Sequence, residues 1–180
     1  EMSASLVGSE MCIRDRYYIE EDGHKYMFWG SFRGIWAIEL ADDGLSLKPG
    51  AGKRKIAGDQ YEGTYIHKRD GYYYLIVSTG DFMKDYHVVV GRSRSLMGPY
   101  VDRAGRDMLG VHHELVVGNG NGFVAPGHNA EFITDDKGQD WMLYHTRLEV
   151  GGPRYLLLDR IEWNDGWPEV RGHVPARSAE

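Results

Sequence analysis

The sequence has 180 residues, the length of one domain or part of one, and a formal net charge of −6 with acidic and basic residues interleaved. This pattern argues against a surface for nucleic acid or an anionic membrane, and no apolar run approaches the ~20 residues of a membrane-spanning helix. Glycine (24) and tyrosine (12) are abundant and helical periodicity is lacking, which favours an all-β fold.

The first segment of the chain differs from the rest. Residues 5–16, "SLVGSEMCIRDR", contain the only cysteine, Cys12. Their back-translation resembles the transposon-end adapter of DNA library preparation, read in frame. We therefore interpret residues 1–16 as non-native and expect 5–16 to be poorly anchored, with native sequence from about Tyr17. An ordinary N-terminal loop is the alternative. A signal peptide would not be visible if the native start is missing, and the cysteine-free remainder suits any redox compartment.

Three β-hairpins follow in chain order. Each has a short strand, a charged turn ending in glycine (Gly23, Gly71, Gly138) and an aromatic-rich strand. The three segments are "YYIEEDGHKYMFWGS", "TYIHKRDGYYYLIVSTG" and "EFITDDKGQDWMLYHT". A third strand follows each hairpin: "GIWAIEL", "YHVVVGRS" and "RYLLLDRIEW". A turn and a short fourth strand close each unit, as in "MGPYVD" and "NDGWPEV".

The spacing of these units predicts a β-propeller. Their turn glycines lie 48 and 67 residues apart, and the longer gap holds a Gly-rich insertion at about residues 103–127. Four-stranded units at such intervals are typical of propeller blades. Three units are too few to close a ring, so we expect an incomplete propeller over residues 17–180. A β-sandwich is the alternative.

The repeat register also locates candidate functional residues. Glu62 lies nine residues before Gly71, and Asn129, with His128 beside it, lies nine before Gly138. In a propeller the entries of the innermost strands open on the central channel, so these positions converge on one funnel. The corresponding position before Gly23 is Arg14, inside the adapter-like segment.

Several motifs together resemble the family 43 glycoside hydrolases, most closely the arabinanases, which cut α-1,5-linked arabinan. They are "YEGTYIHKRDGYYYLIVSTG", "YHVVVGRSRSLMGPYVD", "GHNAEFITDDKGQDWMLYH" and "DRIEWNDGWPEV". The resemblance covers residues 17–172. It implies a five-bladed all-β propeller and an inverting mechanism with three carboxylates, an Asp base, an Asp that tunes the acid, and a Glu acid.

The resemblance assigns roles to two of the register positions. Glu62 matches the general acid, which must be protonated to act, a state favoured by partial burial and a neighbouring carboxylate. A solvated glutamate at a strand start is the alternative. His128 matches a channel histidine that helps to hold a metal ion, commonly calcium, largely through water. A histidine hydrogen-bonded to backbone or water is the alternative, and no organic cofactor is expected.

Substrate-binding residues are also implied. Ser31 matches a rim position that bonds a sugar hydroxyl, Phe32 one that packs on a ring face, and Asn129 shares the channel register. Phe32 as a strand-end core residue is the alternative. The other aromatic residues are expected to pack between blades: Trp29, Tyr73, Trp141, Trp163 and Trp167. The expected substrate is plant cell-wall arabinan or arabino- or xylo-oligosaccharide, and the expected location is extracellular or periplasmic.

The departures from the family pattern limit the functional prediction. The blade with the Asp base has no counterpart, and Arg14 stands where the tuning Asp is expected. Asp15 is one position off and receives no role. We therefore expect an inactive fragment of an endo-acting arabinanase. The alternatives are an exo-acting α-L-arabinofuranosidase or β-xylosidase, and a non-catalytic carbohydrate-binding propeller.

Overall fold

The structure, a computed structural model, describes residues 15–178, which form thirteen β-strands and a 3₁₀ helix at Arg171–His173. The first sheet contains Arg16–Glu21 (β1), His24–Trp29 (β2), Ile35–Leu40 (β3) and Arg54–Ala57 (β4). The second contains Glu62–Arg69 (β5), Tyr72–Thr79 (β6), His87–Ser93 (β7) and Glu114–Val117 (β8). The third contains Val124–Gly127 (β9), Ile133–Thr134 (β10), Asp140–Arg147 (β11), Tyr155–Asn164 (β12) and Trp167–Val170 (β13). The all-β expectation is confirmed, and none of the described helical residues forms a segment that could cross a membrane.

The three predicted hairpins are present, and in each sheet the strands run antiparallel in chain order. In the third sheet β9 and β10 both pair with β11, so two short strands share its inner position. The first two hairpins turn over two residues with positive φ, Asp22 and Gly23 (51° and 79°) and Asp70 and Gly71 (50° and 73°). Aspartate and glycine tolerate this conformation, so the turn chemistry fixes where each hairpin reverses.

The predicted fourth strand of the second sheet is wrong. The segment "MGPYVD" forms only isolated bridges, in which Val101 pairs with Arg92 and with Asp107. The fourth strand is β8, from within the predicted insertion, and it pairs with Val88, Val89 and Val90 of β7. β8 thus occupies this part of the edge of β7, and Val101 reaches the same strand only at Arg92. In the third sheet, "NDGWPEV" does supply the fourth strand, β13.

The middle sheet is buried on both faces. On β6, Leu75 and Val77 pack in a cluster shared with the first sheet, whereas Tyr74 and Ile76 pack in one shared with the third. Neighbouring residues of a strand point to opposite faces, so a single strand serves both cores. The sheets therefore stack face to face in chain order, and the starts of their inner strands lie near one another.

The segment ahead of Tyr17 is better anchored than expected where the structure describes it. Arg16 begins β1 opposite Trp29, and Asp15 is 2% exposed. The expectation of poor anchoring is therefore wrong for these two residues. Residues 5–14, including Cys12 and Arg14, lie outside the described range, and the proposed adapter origin of the segment stays a prediction.

Candidate active site

A cavity of about 390 Å³ opens where the inner strands of the three sheets begin. It is lined by Asp15, Phe32, Glu62, Phe82, Tyr86, His128, His145 and Arg154. Three of the predicted site residues, Glu62, His128 and Phe32, therefore meet in one cavity. Ser31 joins them through Glu62, whereas Asn129 is not part of the lining.

Glu62 occupies the first position of β5, and a bulge separates it from the regular pairing that begins at Tyr65. Gly63 within the bulge has a φ of 70°, a conformation that glycine adopts without strain. Bulges beside functional sites redirect a side chain out of the sheet pattern. At this bulge the side chain of Glu62 lines the cavity and does not pack in a hydrophobic core.

Both carboxylate oxygens of Glu62 accept a hydrogen bond. The Ser31 hydroxyl donates to Oε2 at 2.9 Å, and the Tyr86 hydroxyl donates to Oε1. Burial, and then the hydrogen bond to Glu62, raise the pKa of Tyr86 well above its usual range. Tyr86 therefore keeps its proton and remains a donor. Oε1 is fixed as an acceptor, so a proton carried by Glu62 sits on Oε2.

The position of Tyr86 depends on a glycine across the sheet boundary. Tyr86 is 1% exposed, and its ring lies against Gly127 at the end of β9. A Cβ atom on Gly127 would lie 2.1 Å from Cδ1 of the Tyr86 ring, closer than atoms can approach. The third sheet thus holds the tyrosine that holds Glu62 of the second sheet.

His128 faces Asp15 inside the cavity. His128 Nε2 lies 3.3 Å from Oδ1 of Asp15, whose side chain is fully buried, and the His128 backbone N–H donates to Ser78 Oγ at 2.8 Å. The neighbouring carboxylate of Asp15 raises the pKa of His128. The contact is an ion pair without good hydrogen-bond geometry, and both oxygens of Asp15 lack a hydrogen-bond partner among the described residues.

The surroundings of His128 bear on the predicted calcium site. Calcium prefers six to eight oxygen ligands, and the described residues contain no group of three or more His, Cys, Asp or Glu side chains that could hold a metal. His128 Nε2 is directed at Asp15, and the protonated ring that Asp15 favours has no lone pair for a metal. The described residues therefore do not fit a directly bound ion. Water-mediated calcium stays a prediction, and no catalytic step is assigned to it.

The remaining predicted residues lie around the cavity. Phe32 is 44% exposed, with a positive φ of 51° and its N–H donating to the Tyr61 carbonyl at 3.0 Å. It is not a core residue. Asn129 is 8% exposed, and its side-chain amide donates to the Ala130 carbonyl at 3.0 Å. Its predicted contact with substrate has no support from the cavity lining.

Sequence reasoning missed five lining residues: Asp15, Phe82, Tyr86, His145 and Arg154. Tyr86 begins the quoted "YHVVVGRS" motif, so a signal existed. Asp15 was set aside because it lies eight, not nine, residues before Gly23. Phe82 and Arg154 are in loops without periodicity, which gave no signal.

The sequence is similar to known proteins over most of its length. The family model of the glycosyl hydrolases family 43 matches residues 3–168, a range that includes all of the adapter-like residues 5–16. An extracellular endo-α-(1→5)-L-arabinanase of Thermotoga petrophila is 32% identical, covering 83% of this chain and 39% of its own. An extracellular exo-α-(1→5)-L-arabinofuranosidase of Cellvibrio japonicus is 33% identical, with coverages of 84% and 49%. This chain thus spans less than half the length of these relatives.

A solved structure gives the same match in three dimensions. The α-L-arabinanase of Cellvibrio cellulosa superimposes with a TM-score of 0.77 at 29% identity, covering 91% of this chain and 60% of that one. The same enzyme complexed with arabinohexaose also gives a TM-score of 0.77, at 28% identity. The sequence match and the fold match agree, and the chain belongs to the family 43 glycosyl hydrolases.

Proposed function

We propose that this chain carries the acid-bearing part of an active site that hydrolyses α-1,5-linked arabinan, with Glu62 as the general acid. The observation that carries the proposal is the fixing of Glu62 by Ser31 and Tyr86 at the mouth of the cavity. Because Tyr86 holds Oε1, the proton for the leaving oxygen comes from Oε2. A sugar oxygen that reaches Oε2 displaces the Ser31 hydroxyl from it and receives the proton.

Inversion also requires a base that activates water on the opposite face of the sugar. Among the described residues, Asp15 is the other carboxylate of the cavity lining, and its side chain is fully buried beside His128. Because Oδ1 of Asp15 lies 3.3 Å from Nε2 of His128, we do not assign Asp15 the role of this base. We therefore propose that the chain as it stands turns over arabinan far more slowly than a full-length family member.

We further propose that the three sheets are blades of a five-bladed propeller. The repeated four-stranded pattern and the buried faces on both sides of the middle sheet support this architecture. We place the protein outside the cell or in the periplasm, because the relatives from Thermotoga petrophila and Cellvibrio japonicus are named extracellular.

The mode of cleavage has two candidates, endo and exo, because these two relatives are named for different modes. We favour the endo mode because the Thermotoga and several other relatives are named endo-arabinanases. β-Xylosidase activity and sugar binding without catalysis are the remaining alternatives. Of these, binding alone does not require the two hydrogen bonds on Glu62.

The test is prolonged incubation with debranched arabinan, with product analysis by anion-exchange chromatography, beside Glu62→Gln and a full-length relative. We expect slow release of mixed oligosaccharides by the wild type, loss of release in Glu62→Gln, and much faster release by the relative. Release of arabinose alone would favour the exo mode. Equal rates in wild type and Glu62→Gln would disprove the acid role, and a rate equal to that of the relative would disprove the proposed lack of a base.

A further inference from the structure

Two loops form one wall of the cavity, and a buried arginine fixes them to each other. Arg147, the last residue of β11, is 7% exposed. Its Nε donates to the Phe82 carbonyl at 3.2 Å, and its Nη1 donates to the Gly152 carbonyl. The Gly151 N–H also donates to the Met83 carbonyl at 3.0 Å. The loop between β6 and β7 and the loop between β11 and β12 are thus held as one unit.

This unit presents an aromatic ring and a cation to the cavity. Phe82 is 45% exposed, and the Arg154 guanidinium carbon lies 6.0 Å from the centroid of its ring. Both side chains line the cavity that contains Glu62. An exposed ring offers an apolar face to the C–H groups of a sugar, and a guanidinium offers a planar fork of donors.

Among the residues that the structure describes, Arg154 has no ion-pair partner. No carboxylate of residues 15–178 lies within 4.0 Å of its guanidinium. Of the two carboxylates in the lining, Asp15 is buried against His128, and Glu62 accepts hydrogen bonds from Ser31 and Tyr86.

The charge of Arg154 nevertheless lowers the pKa of another residue in the cavity lining. Burial, and then Arg154, lower the pKa of His145 to about 4, so His145 is neutral at physiological pH. A neutral pentose has no group that would make use of an unpaired positive charge. A carboxylate does, through charge-assisted, bidentate hydrogen bonds.

We propose that Arg154 and Phe82 form a subsite for a carboxylate-bearing sugar unit, a uronate, next to the sugar that meets Glu62. The uronate ring packs on Phe82 while its carboxylate pairs with Arg154. The location of this subsite relative to the reacting sugar rests on the proposed function. The preference for a carboxylate rests on Arg154 alone, so the two can be tested separately.

The test is calorimetric titration of the whole chain with trigalacturonate, with its fully methyl-esterified form, and with arabinotriose. The ester keeps the shape of the acid and removes its charge. At low salt we expect the acid to bind about tenfold more tightly than the ester, the difference that one good charged contact supplies. High salt should reduce the difference, because the pair is exposed.

Substitutions at Arg154 and Phe82 test whether this subsite causes the preference for the acid over the ester. Arg154→Gln should abolish the difference between acid and ester, and Arg154→Lys should restore part of it. Phe82→Leu should weaken acid and ester alike. Arg160→Gln, an exposed arginine of β12 outside this cavity, is the control for net charge and should change nothing.

Equal binding of acid and ester by the wild type, undetectable binding of both, or a preference that survives in Arg154→Gln would overturn the proposal. Arabinotriose reports on the proposed function instead. Its failure to bind, beside a preserved preference for the acid, would disprove the arabinan assignment and leave the uronate subsite standing.

Discussion

The hydroxyl of Ser31 lies 2.9 Å from Oε2 of Glu62 and links the first sheet to the second at the mouth of the cavity. Ser31 was predicted to bond a sugar hydroxyl, yet its partner in this structure is Glu62. Ser31 can serve both partners one after the other, because a substrate that reaches Oε2 of Glu62 releases the Ser31 hydroxyl for a sugar. The contact therefore makes Ser31 a positioning residue for the acid.

A double-mutant cycle tests this contact. Ser31→Ala and Glu62→Ala should each lower the free energy of unfolding, and their effects should be non-additive, with a coupling of about 1 kcal/mol, typical of a single hydrogen bond. Urea denaturation at neutral pH measures all four proteins. Additive effects would show that the contact does not form in solution.

Replacement of Gly127 by alanine should destabilise the protein. The new Cβ would lie 2.1 Å and 2.2 Å from two atoms of the buried Tyr86 ring. The ring is 1% exposed, so we expect a loss of about 2 kcal/mol in the free energy of unfolding, as for other overpacked cores. Thermal and urea denaturation measure the loss.

Gly52→Ala is the matched control, because a Cβ at Gly52 meets no atom within 4 Å. It should leave the free energy of unfolding nearly unchanged. A small effect of Gly127→Ala, equal to that of the control, would mean that Tyr86 is not packed as described and that its hydrogen bond to Glu62 is not fixed.

The predictable part of this protein is local in sequence. The Asp-Gly turns at 22–23 and 70–71 encode their hairpins, and the repeat register placed Glu62 and His128 in one cavity. Contacts between sheets could not be predicted from the sequence. Gly127 and Tyr86 are far apart in the chain, and only the packing of the end of β9 against the Tyr86 ring makes the glycine necessary. Arg154 lies in an irregular loop, where no periodicity relates a residue to its neighbours.

The pair of Asp15 and His128 should give a pH-dependent contribution to stability. Asp15, and more weakly Glu62, raise the pKa of His128, whereas burial, and more weakly Arg154, lower it. A folded-state pKa above the unfolded value of about 6.5 means that the contribution is fully present below pH 6.5. It is lost as the pH rises through the folded-state pKa.

Asp15→Asn should remove this effect. In ring nitrogen spectra the titration midpoint of His128 should lie above 6.5 in the wild type and fall in the variant. The difference in melting temperature between wild type and Asp15→Asn should shrink as the pH rises from 6 to 8. An unchanged His128 midpoint in the variant would show that Asp15 is not beside His128, and would return Asp15 to the poorly anchored segment that the sequence predicted.

The contribution of His113 to stability should have the opposite pH dependence to that of His128. Its Nδ1 lies 2.8 Å from the hydroxyl of Tyr61, which is fully buried. Burial raises the pKa of Tyr61 to about 12, so its hydroxyl keeps its proton and is able to donate to a neutral His113 ring. Burial, and then His87, lower the pKa of His113 to about 4. The native state therefore holds His113 neutral.

A lowered histidine pKa stabilises the fold above the unfolded value of about 6.5, and this stabilisation is lost as the pH falls towards 4, because the unfolded chain binds the proton first. His113→Gln keeps an acceptor for Tyr61 but cannot titrate. The free energy of unfolding should therefore fall less between pH 7.5 and pH 5 in His113→Gln than in the wild type, as measured by urea denaturation. His145, His67 and His128 titrate in both proteins and cancel in the comparison. Parallel pH curves would mean that His113 already exchanges protons freely in the folded state, and hence that the cluster with Tyr61 opens to water.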